Sequence, residues 1–103
     1  VISHSGASQE PLAVIEHARW LRKVPIIAIT SDPGSPIAIN ADQVICYNAP
    51  EEEVGKVPAN ASLYQVALAN RLVIQTSKRL ERGLEYLSSR HPGGAIGQAY
   101  RKG

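Results

Sequence analysis

Two short apolar segments place the strongest constraint on how this chain can fold. Residues 25–29 read PIIAI and residues 43–47 read QVICY, and in neither segment do apolar and polar residues alternate regularly. A strand with one face in water alternates, whereas a strand covered on both faces, as in a parallel sheet, is largely apolar throughout. The two segments therefore predict buried strands of a parallel sheet, and with it an α/β fold.

The segment before the first strand has a helical pattern. Its apolar residues recur at helical spacing, at Val14, Ile15, Ala18 and Leu21. We expect a helix over residues 8–22, with Ser8 as its N-cap and Pro11 tolerated in its first turn. With Val1 and Ile2 as the end of an earlier strand, this helix and the strand at residues 25–29 complete the strand, helix, strand unit from which parallel sheets are built.

Two further helices are predicted beyond the first strand. A turn rich in proline and glycine leads to a short helix that begins at Pro36 and is capped by Ser35. After the second strand and an irregular connection, a long helix is expected from Ser62 to around Arg82, with Gly83 as its stop. Helices and strands thus alternate along most of the chain.

The chain begins with only two apolar residues, Val1 and Ile2, before a polar loop. A strand is typically about 5 residues long, so this sequence is predicted to start in the middle of one. We expect one domain over residues 1–103, a three-layer α/β/α sandwich that is N-terminally incomplete because its first strand is truncated. Part of any ligand site would then lie outside this sequence.

Composition narrows the classes of function. The net charge is +2, and the basic residues are scattered apart from Arg101 and Lys102, which predict a solvated tail. We therefore expect neither nucleic acid nor a membrane as a partner, and no segment approaches the roughly 20 apolar residues of a membrane span. The single cysteine, Cys46, lies in the second apolar segment, which predicts a buried, inert thiol. With no signal-peptide pattern at the N-terminus, a cytoplasmic protein is expected.

The loop SHSGAS, residues 3–8, is the first candidate for a binding site. It lies between a predicted strand and a helix, at the edge where open parallel sheets bind ligands. Serine hydroxyls donate to phosphate oxygens, Gly6 lets the backbone approach closely, and a helix N-terminus adds unpaired N–H groups. The loop therefore predicts a phosphate monoester site, and an ordinary strand-to-helix turn with Ser8 as a plain N-cap stays open as the alternative.

This loop and two later segments resemble the sugar isomerase (SIS) domain. That family has a serine-x-serine-glycine-x-serine/threonine loop, then a strand ending in isoleucine-threonine and a serine-proline turn. The matching segments are SHSGAS at 3–8, IAITS at 27–31 and PGSP at 33–36. The resemblance implies a flavodoxin-type sandwich whose loop binds the phosphate of a phosphosugar.

The same resemblance assigns roles within the loop. It gives phosphate binding to the hydroxyls of Ser3, Ser5 and Ser8, and backbone contacts to His4 and Gly6. A phosphorylated sugar is thus the expected small-molecule partner, with no cofactor. Family members associate, so a homodimer or homotetramer is expected, and the long helix from Ser62 is a plausible contact surface.

The C-terminal segment HPGGAIG, residues 91–97, is similar to a motif of the arabinose-5-phosphate isomerase branch of this family. PANAS at 58–62 matches that branch's proline-led helix entry more loosely. The branch interconverts an aldose and a ketose phosphate through an enediol and assigns the motif histidine to its active site. His91 becomes the candidate for ring opening or for moving a proton between carbons 1 and 2, because imidazole exchanges protons near neutral pH.

A carboxylate is the expected base at carbon. The branch carries a glutamate shortly before the helix entry, and Glu51, Glu52 and Glu53 lie in that neighbourhood, with Glu51 nearest in spacing. A solvated acidic loop stays open as the alternative. A lysine that the branch places before the serine loop has no counterpart in this sequence.

Other functions share the same binding loop. One is a non-catalytic phosphosugar sensor, as in a family of transcription regulators, and another is a lyase or etherase acting on an amino-sugar phosphate. The HPGG turn favours the isomerase, because a sensor has no known need for it. A metal site is not expected, because His4 and His17 lack the i, i+4 spacing of ligands on one helix face.

Overall fold

A computed structural model describes residues 1–22, 24–55 and 57–101. In chain order these residues form α1 (Gln9–Arg22), β1 (Ile27–Thr30), α2 (Pro36–Ile39), β2 (Gln43–Cys46), α3 (Ala59–Arg79), α4 (Leu84–Arg90) and α5 (Ala95–Arg101). No helix in these ranges combines the length and the hydropathy that a membrane span needs. The tail predicted to be solvated ends in Lys102, which lies outside the described residues.

The chain divides into two compact units, Val1–Val66 and Ala67–Gly103. The first contains the sheet, α1, α2 and the start of α3. The second contains the rest of α3 and the helices α4 and α5. The single domain over residues 1–103 stays a prediction.

The strands of the first unit run parallel. β1 and β2 pair along their full length. On the other side of β1, the Ile29 N–H donates to the carbonyl of Val1 at 2.8 Å, and the Ile29 carbonyl accepts from the N–H of Ser3 at 3.0 Å. β1 therefore lies between β2 and the N-terminal residues. The predicted α/β fold with a parallel sheet is confirmed, and the three-layer, flavodoxin-type sandwich stays a prediction.

The core of the first unit joins α1, β1 and α2. Its buried apolar residues are Ile15, Ile26, Ala28 and Ile37, and Leu12 and Ala18 of α1 pack against them. Leu12, Ile15 and Ala18 are three positions apart and so share one helix face. Val14 and Leu21, which the apolar pattern also assigned to that face, are more than half exposed. The predicted helix is confirmed, and its apolar stripe was predicted too wide.

The two strands differ in burial. Ala28, Ile29 and Thr30 of β1 are buried, as predicted for a strand between neighbours. In β2, Val44 and Cys46 are exposed, so the prediction of a second buried strand and of a buried thiol is wrong. The physical reason is position: among the described residues β2 pairs only with β1 and forms an edge of the sheet.

The long helix α3 ends earlier than the sequence pattern predicts. The N–H of Arg82 donates to the carbonyl of Ser77 at 2.8 Å, and that of Glu81 to the carbonyl of Lys78 at 3.1 Å. This is the Schellman pattern, and Glu81 adopts the left-handed conformation, with φ of 53°, that glycine usually takes there. Gly83, the predicted stop, is instead the N-cap of α4.

The predicted glycine-rich turn at residues 91–97 is shorter than expected, because α5 begins at Ala95. The N–H of Gly94 donates to the carbonyl of His91 at 3.1 Å and closes the turn. A Cβ on Gly97 would lie 2.3 Å from that same carbonyl oxygen and 2.8 Å from the Cα of Pro92. Gly97 therefore allows α5 to approach the turn that precedes it.

Candidate functional site

The serine loop is fastened to the carboxyl edge of the sheet through the carbonyl of His4. That oxygen accepts from the N–H of Ser31 at 3.0 Å, from the hydroxyl of Ser31 at 2.8 Å and from the hydroxyl of Thr30 at 2.9 Å. Thr30 is fully buried at the end of β1. Thr30, the last residue of β1, and Ser31, which follows it, thus anchor the loop, and the His4 carbonyl is occupied by protein donors.

Gly6 brings the loop against the start of α2. Its φ is +64°, and a Cβ at this position would lie 2.1 Å from the Ser35 hydroxyl oxygen. The carbonyl of Gly6 accepts from the N–H of Ile37 at 3.0 Å. Ser35 occupies the N-cap position of α2 but makes no side-chain capping hydrogen bond, and its hydroxyl donates to the carbonyl of Asp32 at 2.7 Å. Left-handed backbone and close approach both require glycine at position 6.

The three serine hydroxyls differ in what they already bind. The hydroxyl oxygen of Ser3 accepts from the N–H of Gly6 at 3.1 Å, and that of Ser5 from the N–H of Ala7 at 3.4 Å. In both, the hydroxyl proton stays free to be donated to a ligand. Ser8 directly precedes α1, and its hydroxyl forms no hydrogen bond with the described residues. The plain N-cap function is therefore not supported, and all three hydroxyls can donate.

These hydroxyls open onto a cleft of about 790 Å³, within the range of roughly 300–1,000 Å³ typical of small-molecule sites. The loop contributes hydroxyls and the imidazole, and the connection after β2 and the first turns of α3 contribute the rest of the lining. The lining residues are Ser3, His4, Ser5, Ser8, Glu51, Glu52, Gly55, Pro58, Ser62 and Gln65. Gly6 shapes the loop without lining the cleft.

The three neighbouring glutamates have different environments. Glu52 accepts from the N–H groups of Asn60 and Ala61 at 2.7 and 2.8 Å, so its carboxylate caps the first turn of α3. Glu51 lines the same cleft, and its carboxylate forms no hydrogen bond with the described residues. Glu53 is exposed and is not among the lining residues. Glu51 is thus the carboxylate with free oxygens in the cleft.

The cap held by Glu52 explains why α3 begins at Ala59, three residues before the predicted Ser62. Backbone donors, above all Ala61, hold the pKa of the Glu52 carboxyl below its ordinary value of 4.5 against the opposing cost of desolvation, with a smaller contribution from the imidazole of His4. Because the folded state favours the charged form, this carboxylate stabilises the fold above pH 4.5, and the contribution disappears as the pH falls through the lowered pKa.

We expect the Glu52→Gln variant to melt below wild type at neutral pH and the difference to shrink as the pH is lowered through the region below 4.5. Thermal melts followed by circular dichroism at a series of pH values measure both curves. Glu53→Gln is the matched control, because this neighbour caps nothing. A difference between Glu52→Gln and wild type that is constant with pH would contradict the cap.

Beside the cleft, three side chains from distant positions form a hydrogen-bonded chain. The Nε2 amide of Gln65 donates to the hydroxyl oxygen of Tyr47 at 2.8 Å, and that hydroxyl lies 3.0 Å from Nδ1 of His4. Tyr47 directly follows β2, at the same edge of the sheet as the serine loop. The sequence analysis assigned no role in the site to Tyr47, Gln65 or Ser62. The position of Tyr47 at the carboxyl end of a predicted strand could have indicated it.

His91 belongs to the second unit. It is the C-cap of α4 and its side chain is exposed. Its assignment to an active site stays a prediction, as does the absence of a metal. Within the described ranges, no three histidine, cysteine or acidic side chains gather closely enough to hold a metal ion.

A comparison with protein-family models decides the family. The model described as the SIS domain matches residues 1–75, which include the serine loop, both strands and most of α3. The chain belongs to the SIS domain family. The matched region contains the whole cleft described above.

Curated relatives of this SIS domain include proteins named arabinose 5-phosphate isomerase KdsD. The chain is 33% identical over 99 residues to the arabinose 5-phosphate isomerase KdsD of Salmonella typhi and 32% identical to that of Escherichia coli strain K12. It is 29% identical over 99 residues to the protein of the same name from Francisella tularensis strain SCHU S4. Each match covers 94% of this chain and 30% of the relative. The chain thus spans under a third of the length of these relatives.

Comparison with solved structures gave no significant match. The resemblance to the SIS family is nevertheless confirmed by the family model and by the relatives. The region matched by the family model contains the serine loop, Thr30 at the end of β1 and Ser31.

Proposed function

We propose that this SIS domain binds a phosphorylated sugar in the cleft and contributes to its aldose–ketose isomerisation, as the name of its relatives suggests. The phosphate is held by the hydroxyls of Ser3, Ser5 and Ser8 and by the backbone of the loop. Hydrogen bonds from hydroxyls to a charged phosphate are about 1.5–3 kcal/mol each, stronger than bonds between neutral groups. Three such donors offer enough energy to select phosphorylated over free sugars.

The base in this proposal is Glu51. Its carboxylate removes the proton from carbon 2 of the open-chain aldose while the carbonyl oxygen on carbon 1 gains a proton, which forms the enediol. Return of a proton to carbon 1 and loss of the hydroxyl proton on carbon 2 give the ketose. Glu51 is chosen over its neighbours because Glu52 is engaged as a helix cap and Glu53 does not line the cleft.

His91 completes the proposal as the group that opens the sugar ring or moves the proton between the two oxygens. This role rests on the resemblance of HPGGAIG to the isomerase branch. The relatives are longer than this chain, so the complete reaction and a homo-oligomeric assembly are both parts of the proposal.

The observation that carries the proposal is that one cleft contains both the serine hydroxyls and the carboxylate of Glu51, which forms no hydrogen bond with the described residues. The test uses arabinose 5-phosphate and free arabinose in D₂O, with the proton on carbon 2 followed by NMR and binding measured by calorimetry. We expect binding of the phosphorylated sugar alone, with loss of the carbon-2 proton signal and growth of ketose signals.

Two other results would overturn parts of the proposal. Binding of the sugar phosphate without proton exchange would exclude the isomerase and favour a sensor. Failure of the purified protein to bind any of a panel of sugar phosphates would exclude the phosphate site.

A further inference from the structure

The hydrogen bonds that join Gln65, Tyr47 and His4 restrict which nitrogen of the His4 imidazole can carry the proton. The phenol oxygen of Tyr47 accepts the amide proton of Gln65 over 2.8 Å, and its second neighbour is Nδ1 of His4 at 3.0 Å. A tyrosine hydroxyl has one proton to donate. If Nδ1 carried a proton, the phenol would accept twice and its own proton would have no partner among the described residues. The satisfied arrangement has Tyr47 donating to Nδ1.

The consequence for His4 is a defined tautomer. In a neutral imidazole one nitrogen carries the proton, and the hydrogen bond made by one nitrogen fixes the state of the other. With Nδ1 accepting from Tyr47, the proton lies on Nε2. The Tyr47 ring is itself held in place by stacking on Tyr64, with centroids 6.4 Å apart and planes 18° from parallel.

The direction of the free nitrogen follows from the cleft lining. Nδ1 of His4 is directed at Tyr47, which is not among the residues that line the cleft, whereas His4 itself is. Nε2, across the ring, is the nitrogen available to a ligand. His4 lines the same cleft as Ser3 and Ser5, so its Nε2–H and their hydroxyls are available to one ligand.

We propose that Tyr47 and Gln65 are positioning residues that hold His4 as its Nε2–H tautomer, and that this N–H donates to a phosphate oxygen of the bound sugar phosphate. The identity of the ligand rests on the proposed function, whereas the tautomer does not. The Nε2–H donor of His4 matters because the described lining of the cleft has few groups that attract an anion. The described lining residues include two carboxylates and neither arginine nor lysine, so every N–H or O–H donor counts in attracting a phosphate.

The tautomer is measured first, without ligand. In the ¹⁵N-labelled protein at about pH 8, where imidazoles are in general neutral, long-range ¹H–¹⁵N correlation separates protonated from unprotonated ring nitrogens. The His4 signals are identified by their disappearance in His4→Asn. We expect a protonated Nε2 and an unprotonated Nδ1, and a predominant Nδ1–H tautomer would overturn the proposal.

Two variants test the positioning residues. Tyr47→Phe keeps the stacked ring and removes the hydroxyl, so we expect the His4 signals to report a mixture of tautomers. Tyr64→Phe is the matched control, because its hydroxyl forms no hydrogen bond with the described residues, and it should leave the tautomer unchanged. If the tautomer is the same in Tyr47→Phe as in wild type, Tyr47 does not position His4.

Gln65→Glu should reverse the direction of both hydrogen bonds made by Tyr47, with little change in the shape of residue 65. A carboxylate accepts only, so Tyr47 would donate to residue 65 and accept from His4, which places the proton on Nδ1. We expect the opposite tautomer in this variant. If Gln65→Glu has the same tautomer as wild type, the proposed hydrogen bonds from Gln65 through Tyr47 to His4 are contradicted, even if Tyr47→Phe is too unstable to study.

Binding completes the test, with arabinose 5-phosphate and inorganic phosphate as probes in calorimetry. Loss of one oriented hydrogen bond in Tyr47→Phe should weaken both about threefold to tenfold, and Tyr64→Phe should bind as wild type does. If wild type binds both probes and Tyr47→Phe binds them equally well, the N–H does not contact phosphate. If wild type binds neither, the proposed function fails, and the NMR result still decides the tautomer.

Discussion

Replacement of Glu51 by glutamine is expected to lower kcat for isomerisation by about 10²–10⁴-fold, the usual contribution of a positioned general base. Glutamine keeps the shape and the hydrogen-bonding reach of the side chain but cannot take the proton from carbon 2. The KM for the sugar phosphate should change little, because Glu51 is assigned to the reacting carbon and not to the phosphate. Initial rates at saturating and limiting substrate measure the two constants separately.

The same substitution at the neighbouring glutamates, Glu52 and Glu53, provides the controls for Glu51→Gln. Glu53→Gln removes an equal charge two residues further along, from a side chain that is not among the lining residues, and should retain the activity of wild type. Glu52→Gln should lose stability at neutral pH and, at a temperature where it stays folded, retain most of its kcat. Equal losses of kcat in Glu51→Gln and Glu53→Gln would assign the effect to the charge of the loop, and Glu51 would not be the base.

Replacement of Ser3, Ser5 and Ser8 together by alanine should weaken binding of arabinose 5-phosphate by at least about 100-fold. The estimate follows from three lost donors to a charged group, at about 1.5–3 kcal/mol each, with allowance for water entering the emptied positions. Calorimetry measures the affinity, and free arabinose serves as the ligand without phosphate. An unchanged affinity in the triple variant would exclude the loop as the phosphate site.

Part of that loss could come from the loop itself, because Ser3 and Ser5 accept hydrogen bonds from Gly6 and Ala7. Ser8→Ala alone separates the two effects. The Ser8 hydroxyl has no partner among the described residues, so this variant should keep the melting temperature of wild type and still bind the sugar phosphate about tenfold more weakly. Ser89→Ala, in the second unit, is the control for a serine outside the cleft.

The local features of the fold were predictable because each depends on neighbours in sequence. The apolar run that contains β1 and the helical spacing of α1 needed no knowledge of distant residues, and both are confirmed. The seven-residue helix α4 was not predicted, since so short a segment has little periodicity to recognise. The end of α3 was predicted too late in the sequence. The left-handed residue that ends this helix is Glu81, whereas glycine is the residue usually expected there, and the nearest glycine is Gly83.

The residue types of the candidate site could be predicted from the sequence, but the roles of the individual residues could not. The serines and Gly6 were recognised because their chemistry and spacing suit a phosphate. Glu51 and Glu52 are adjacent, and no pattern in the sequence separates a helix cap from a free carboxylate. Their roles follow from where α3 begins, eight residues further along the chain.

From the sequence alone, then, this chain can be recognised as an α/β protein with a parallel sheet and a serine loop suited to a phosphate, because backbone periodicity and side-chain chemistry are local properties. Tertiary structure decides the rest. Cys46 is exposed because β2 forms an edge of the described sheet, and the Glu52 carboxylate caps α3. Glu51 lines the cleft, and its carboxylate forms no hydrogen bond with the described residues. A hydrogen bond also joins His4 to Tyr47, 43 positions away, and no local pattern encodes that separation.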